Sequence, residues 1–237
     1  MENDPPGWVN AEEIFSPEVY LYFYSDFLNP ERTRRDADFV ERALEPAPGG
    51  RLLDIGCGMG RLANLLAARG YRVTALDTSE AYLQIARGDA ACLGLSVDYR
   101  QQDMRTIEWV SEFDGAVCYF TTFGYFCDTE NADVLRRVAR ALKPGGRFLV
   151  ETLNRDALLR TPQTHRVIER EGNFQIDQNH YDPLTGRVQT SRTVMLYGRK
   201  HTGSFAVRVF TACELVHWLE ENGLEYAALY GETGTPY

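Results

Sequence analysis

Residues 51–62 read RLLDIGCGMGRL, an apolar run followed by a loop with a glycine at every second position. The run over 51–55 predicts a strand, and Leu62, Leu65 and Leu66 recur at the spacing of one helix face. Glycines between a strand and a helix allow a tight turn and a close approach of the backbone to a ligand. The stretch therefore predicts a strand–loop–helix unit with a ligand at the loop.

Strands and helices alternate from residue 51 to residue 150. The pattern predicts strands over 51–55, 72–76, 97–100, 113–120 and 147–151 and helices over 61–69, 80–93 and 131–142. Alternation of this kind implies βαβ units and a parallel sheet. The predicted fold class is α/β, with a doubly wound, mostly parallel sheet.

The residue pattern outside this part of the chain is different, so the whole sequence divides into four regions. Residues 1–50 are expected to form an N-terminal helical cap, and residues 51–160 the α/β core. Residues 161–210 alternate polar and apolar side chains between turn signals, which predicts an inserted antiparallel β-lid. Residues 211–237 are expected to return to the core, with a helix over 211–221 and a strand over 224–230.

Composition and charge exclude several classes of protein. The 237 residues include 34 acidic and 25 basic residues, and the formal net charge of −9 repels nucleic-acid backbones. No apolar run approaches the ~18 residues of a membrane span, and the first ten residues lack the features of a signal peptide. The five cysteines show no metal-ligand spacing. We expect a cytoplasmic protein without nucleic acid, membrane or metal.

Three carboxylates accompany the glycine loop. Asp54 precedes it, Asp77 ends the second predicted strand and Asp103 follows the third. The glycines depart from the GxGxxG dinucleotide pattern, and the GK[ST] of a Walker loop is absent. Acids aimed at one cleft oppose a pyrophosphate because buried like charges are costly. They suit a ligand that carries positive charge and sugar hydroxyls, such as S-adenosylmethionine (SAM).

These elements resemble the class I SAM-dependent methyltransferases, in particular small-molecule enzymes with a methyltransferase domain of type 25 or 11. The matching motifs, in the family's order and spacing, are DIGCGMG at 54–60, Asp77, QQDM at 101–104, FDGAVCY at 113–119 and LKPGG at 142–146. The resemblance implies a Rossmann-like methyltransferase fold, SAM as cofactor and methyl transfer to N or O of a small metabolite. Two alternatives stay open, a nicotinamide-dependent oxidoreductase and a non-catalytic SAM-binding protein.

The resemblance also implies roles for individual residues. Asp77 is expected to accept from both ribose hydroxyls and Asp103 from the adenine amine, while Asp54 orients the loop or holds the ammonium through water. Arg32 is expected to pair with the SAM carboxylate, and a solvated helix face is its equal alternative. The expected cofactor-binding residues are Arg32, Asp54, Gly56, Cys57, Gly58, Asp77, Thr78, Gln102, Asp103, Met104 and Tyr119.

The sequence offers no decisive catalytic base. The candidates are Tyr24 in an N-terminal aromatic cluster, His180 in the inserted sheet and Glu151 at the end of the fifth strand. A structural role is the alternative for each of the three. The family sheet has seven strands, whereas this sequence ends after the sixth predicted strand, and an unpaired edge favours association. A homodimer is therefore an expected assembly.

Overall fold

The computed structural model describes residues 8–231 of the chain, which divide into two compact units. The first unit takes residues 8–29, 124–129 and 153–211. The second takes residues 30–123, 130–152 and 212–231. Within the described range, no helix has both the length and the apolar character that a bilayer crossing needs.

Three helices precede the first strand. α1 spans Ala11–Ile14, α2 spans Pro17–Tyr24 and α3 spans Pro30–Leu44. Proline is favoured at the start of a helix because its missing N–H would have no helical partner there. The buried positions of α3 recur at helical spacing, so this helix presents one face to the core.

The chain then alternates strands and helices, as the sequence predicts. The elements are β1 (Arg51–Ile55), α4 (Arg61–Ala68), β2 (Arg72–Asp77), α5 (Glu80–Cys92), β3 (Asp98–Gln101), β4 (Phe113–Cys118), α6 (Asp128–Ala141) and β5 (Leu142–Val150), with a 3-10 turn over Met104–Thr106. The strands pair in parallel in the order β3-β2-β1-β4-β5. The order reverses between β1 and β4, and in such sheets ligands bind outside the carboxyl ends at that point. The predicted fold class is confirmed.

An apolar core lies between this sheet and the helices α3, α4 and α5. It includes Val40 and Leu44 from α3, Leu62 and Leu66 from α4, and Leu83 from α5, all buried. Burial of a large aliphatic side chain is worth about 1.5–3 kcal/mol. The α4 face that the leucine spacing predicted therefore anchors the helix and, with it, the glycine loop that leads into it.

The first unit contains the predicted antiparallel sheet. After α7 (Arg155–Arg160) follow β6 (His165–Arg170), β7 (Asn173–Asp182), β8 (Arg187–Leu196) and β9 (Arg199–Arg208). They pair in sequence order, each antiparallel to the next. In β8 every even-numbered position is buried, and of the odd-numbered positions only Arg187, at the start of the strand, is buried as well. This alternation is the signature of a sheet with one covered face.

The end of the chain differs from the prediction. α8 spans Ala212–Glu221, as expected, but the strand predicted over 224–230 is wrong, since residues 224–229 have no regular structure. Residues 225–228 are all exposed, so this segment gains neither a strand partner nor a buried face. Tyr230 packs its ring on Phe39 of α3 at 5.1 Å between centroids. In the described part of the chain, the parallel sheet has five strands.

Candidate active site

The loop between β1 and α4 is shaped by its glycines. Gly56 and Gly58 have φ angles of 71° and 54°, a region that other residues occupy at a cost of roughly 1–2 kcal/mol. A Cβ on Gly56 would lie 2.1 Å from Cγ2 of Thr122, whereas a Cβ on Gly58 would meet nothing within 4 Å. Gly56 is thus required by close packing, and Gly58 leaves open space beside the loop.

The carboxylate of Asp77, at the end of β2, is bonded to this loop. Its Oδ2 accepts from the Gly58 N–H at 2.8 Å, and its Oδ1 accepts from the Ser79 N–H at 2.9 Å. Burial raises the pKa of Asp77, and the backbone N–H groups of Ser79, Gly58 and Thr78 oppose that rise. Each carboxylate oxygen can accept more than one hydrogen bond. Acceptor capacity therefore remains for a ligand at the loop.

Asp54, at the carboxyl end of β1, is a buried acid with an unused oxygen. The residue is 3% exposed, and among residues 8–231 its Oδ2 has no hydrogen-bond partner. Burial raises the pKa of the Asp54 carboxyl to about 7, with Arg61 opposing the rise and Asp77 adding to it. A buried acceptor of this kind is normally satisfied by a donor, an ordered water or a bound cationic group.

The Asp54→Asn substitution is expected to remove a pH dependence of stability between about pH 4 and pH 7. The carboxyl has a pKa of about 7 in the folded protein and about 4 in an unfolded chain, so the folded state holds more protons in that window. Through this group, the free energy of unfolding falls as pH rises towards 7 and is level above it. Urea unfolding of both proteins between about pH 5 and pH 8 measures the difference, and parallel profiles would contradict the prediction.

Two further expected cofactor residues lie beside these acids. The Cys57 N–H donates to the carbonyl oxygen of Leu76 at 2.9 Å, and burial raises the pKa of its thiol. The Thr78 carbonyl oxygen accepts from Nε2 of Gln101 at 3.1 Å. Both residues are thus held by contacts between the glycine loop, β2 and β3.

The segment after β3 reaches the same end of the sheet. The Gln102 N–H donates to the carbonyl oxygen of Asp77 at 2.9 Å, and Met104 is buried. The Asp103 carboxylate, however, accepts from the Arg105 N–H at 2.8 Å and from the Arg105 guanidinium on both oxygens. Much of its acceptor capacity is therefore already used. Sequence reasoning missed this contact, although an acid two residues before an arginine in a turn was a usable signal.

The turn after β4 brings together three residues expected at the site. Oε2 of Glu151, just past β5, accepts from the Phe120 N–H at 2.5 Å. Tyr119 opens the turn, and burial raises its pKa to about 12. The Arg32 guanidinium lies 5.6 Å from the centroid of the Phe120 ring. Nearby, Asp36 is 3.6 Å from Nε of Arg32 and accepts from Nη1 of Arg61 at 2.7 Å.

Tyr24 and His180 belong to the unit that holds the antiparallel sheet. The Tyr24 hydroxyl accepts from Nε2 of Gln175 at 2.8 Å, and its ring stacks on Tyr20 at 4.8 Å. His180 lies on β7 with an exposed side chain. Tyr24 is therefore a packed tyrosine, and His180 lies at the surface. Among the described residues, no group of three or more His, Cys, Asp or Glu is arranged to hold a metal ion.

Comparisons with known sequences agree with this arrangement. Residues 52–146 match a family model described as a methyltransferase domain. A ubiquinone biosynthesis O-methyltransferase from Xanthomonas axonopodis pv. citri is 37% identical over 130 residues, which cover 54% of this chain and 51% of the relative. The chain spans about half the length of the curated relatives it matches.

Solved structures share the fold over more of the chain. The CcbJ methyltransferase from Streptomyces caelestis is 23% identical with a TM-score of 0.74, and the match covers 86% of this chain and 83% of that one. SAM-bound CalS10, an amino pentose methyltransferase from Micromonospora echinaspora, is 23% identical with a TM-score of 0.68, covering 92% and 94%. At such identities the likeness concerns the fold. The domain match over residues 52–146 and the relative at 37% identity are both to methyltransferases, and the solved methyltransferases share the fold over most of the chain.

Proposed function

We propose that this protein binds SAM at the glycine loop and transfers its methyl group to a nitrogen or oxygen atom of a small metabolite. The observation that carries the proposal is the 2.8 Å hydrogen bond from the Gly58 N–H to Oδ2 of Asp77. It joins the loop and the acid into one site, and we expect the carboxylate there to accept from the ribose of the cofactor. A carboxylate accepts well from two adjacent sugar hydroxyls.

The charge of the site fits SAM better than it fits a nicotinamide dinucleotide. Asp54 and Asp77 already interact electrostatically, since Asp77 adds to the raised pKa of Asp54. A pyrophosphate beside them would bring further negative charge into a poorly solvated site. SAM has no phosphate and carries an ammonium and a sulfonium. The unused Oδ2 of Asp54 and the open space at Gly58 both suit such a ligand.

Methyl transfer from SAM needs little acid or base catalysis from this protein. SAM supplies the methyl group on a sulfonium centre, from which it leaves in an SN2 displacement. The residues of the site contribute alignment and exclusion of water. A neutral amine needs no base in this reaction, whereas a hydroxyl often does. The Glu151 carboxylate is already engaged by a backbone N–H, so we assign it no proton transfer.

The names of related proteins support a small-molecule methyl acceptor. One relative is named as an O-methyltransferase and one structural neighbour as an amino pentose methyltransferase. Both names fit a small acceptor with an oxygen or nitrogen nucleophile. The net charge of −9 argues against a nucleic-acid acceptor. The cytoplasmic location and the homodimer remain predictions from the sequence.

Isothermal titration calorimetry with SAM, S-adenosylhomocysteine and NADH tests the proposal. We expect micromolar binding of the first two ligands and no binding of NADH. Binding of NADH without SAM would favour the oxidoreductase. If SAM binds but labelled methyl is not transferred to any of a panel of amines, phenols and amino sugars in single-turnover reactions, the non-catalytic SAM-binding protein is favoured.

The Asp77→Ala substitution is expected to weaken SAM binding at least tenfold. Hydrogen bonds to a charged group are worth roughly 1.5–3 kcal/mol, and each 1.4 kcal/mol is about tenfold in affinity. Calorimetric titration of folded wild type and variant measures the change. Ser79→Ala is the matched control, because it removes only the side chain that caps α5 and should bind SAM nearly as well. Unchanged affinity in a folded Asp77→Ala protein would remove Asp77 from the site.

A further inference from the structure

The turn that follows β4 has an unusual backbone. Phe120 and Thr121, two consecutive residues with side chains, have φ angles of 65° and 57°. Residues other than glycine rarely adopt this left-handed region, because the Cβ atom approaches the carbonyl oxygen. Such residues persist only where the surrounding structure holds them, and they concentrate at functional sites.

The Glu151 side chain is bonded to this turn. Oε2 of Glu151 accepts from the Phe120 N–H at 2.5 Å, and the neighbouring Thr121 N–H favours the charged form of the same carboxylate, which opposes the rise of its pKa on burial. The Glu151 backbone is fixed as well, since its N–H donates to the carbonyl oxygen of Cys118 at 2.9 Å. The carboxylate thus bonds Phe120 and interacts with Thr121 from a fixed position at the end of the sheet.

The strained turn also supports the glycine loop. Thr122 donates from its hydroxyl to the carbonyl oxygen of Tyr119 at 2.8 Å, which closes the turn on itself. The Thr122 methyl group packs against Gly56 so closely that a Cβ there would lie 2.1 Å away. A displacement of the turn would therefore move the surface on which the glycine loop rests.

We propose that Glu151 is a positioning residue, whose carboxylate holds the turn 119–122 against the glycine loop and so maintains the shape of the cofactor site. The inference rests on the proposed function in one respect, the binding of SAM at that loop. The role requires an acceptor at position 151 that bonds the Phe120 N–H. It does not require proton transfer or contact with the reacting atoms.

The first test compares Glu151→Ala with Glu151→Gln. In the protein without ligand, we expect amide hydrogen exchange in residues 119–122 to be at least about tenfold faster in the alanine variant. The glutamine variant, which keeps one acceptor oxygen, should fall between the two. SAM affinity should follow the same order, with a loss of about tenfold for alanine. Glu112→Ala, which removes a carboxylate paired with Arg51 at 2.8 Å near the start of β4, is the matched control and should leave both measurements unchanged.

The second test is a rescue by glycine. Glycine populates positive φ about as readily as negative φ, so a turn with glycine at position 121 needs less support. The double variant Glu151→Ala/Thr121→Gly is expected to bind SAM more tightly than Glu151→Ala alone. A direct contact between Glu151 and the ligand would not be replaced by this change.

The outcomes separate this inference from the proposed function. If wild type does not bind SAM, the proposed function fails, and the exchange measurement still decides whether Glu151 holds the turn. If exchange in residues 119–122 is the same in wild type and Glu151→Ala, the inference is overturned. If Glu151→Gln loses as much SAM affinity as Glu151→Ala and glycine gives no rescue, Glu151 contacts the ligand directly, which also overturns it.

Discussion

The Gly56→Ala substitution is expected to abolish SAM binding and to lower the free energy of unfolding by about 2–5 kcal/mol. The positive φ of 71° accounts for roughly 1–2 kcal/mol of this loss. Overpacking adds about 1–3 kcal/mol, because the new Cβ would lie 2.1 Å from Cγ2 of Thr122. Urea unfolding measures the stability, and calorimetric titration of the folded fraction measures the binding.

Two further variants separate the contributions to this effect. Gly58→Ala also places a side chain at positive φ, but in open space, so only the backbone cost of roughly 1–2 kcal/mol is expected. In the double variant Gly56→Ala/Thr122→Ser, the clashing methyl group is gone and the hydroxyl remains. It should recover about 1–3 kcal/mol relative to Gly56→Ala. No recovery would mean that contact with Thr122 is not the cause of the loss.

The Asp177→Ala substitution is expected to cost about 3–5 kcal/mol of stability. Asp177 on β7 and Arg192 on β8 are directly opposite each other in the antiparallel sheet. Nε and Nη2 of Arg192 donate to the two carboxylate oxygens at 2.7 and 2.9 Å, and both side chains are 6% exposed. Without the carboxylate, a buried guanidinium would keep its charge without a partner for it. Thermal and urea unfolding measure the loss, and a cost below about 1 kcal/mol would contradict the prediction.

Two controls test the assignment of this cost to an uncompensated buried charge. Asp98→Ala breaks an exposed pair with Arg100 and should cost less than about 1 kcal/mol. The double variant Asp177→Leu/Arg192→Met replaces both charges with apolar side chains and should be close to wild type in stability. Methionine can keep the packing of Arg192, whose guanidinium lies 5.1 and 5.4 Å from the ring centroids of Phe15 and Phe205.

Features with a local cause were predictable from the sequence. The strand–glycine–helix stretch at 51–62 predicted β1, the loop and α4, because periodicity and glycine placement act over a few residues. The sequence also predicted that Asp54 and Asp77 lie close together, since parallel strands end at the same edge of a sheet. The antiparallel sheet followed from alternation and turn residues.

Features that depend on distant partners were not predictable. Nothing in the letters at 120 and 121 indicates a positive φ, because the turn is held by Glu151 from another strand. The segment 224–230 was predicted as a strand from its mainly apolar residues, but a strand needs a neighbour to pair with. The contact between Arg105 and Asp103 likewise decides how much acceptor capacity the acid keeps, and composition alone does not show it.

The unit with the antiparallel sheet consists of three separate stretches of chain, so the polypeptide passes between the two units five times. Its shortest stretch, residues 124–129, is tied to the sheet by Arg187, which donates to the carbonyl oxygen of Phe126 at 2.6 Å and to Asp128 at 2.7 Å. The Arg208 N–H also donates to the carbonyl oxygen of Gly124 at 2.8 Å. Recombination between relatives therefore cannot exchange this whole unit as one contiguous segment. A functional chimaera would have to transfer residues 8–29 and 124–129 together with residues 153–211.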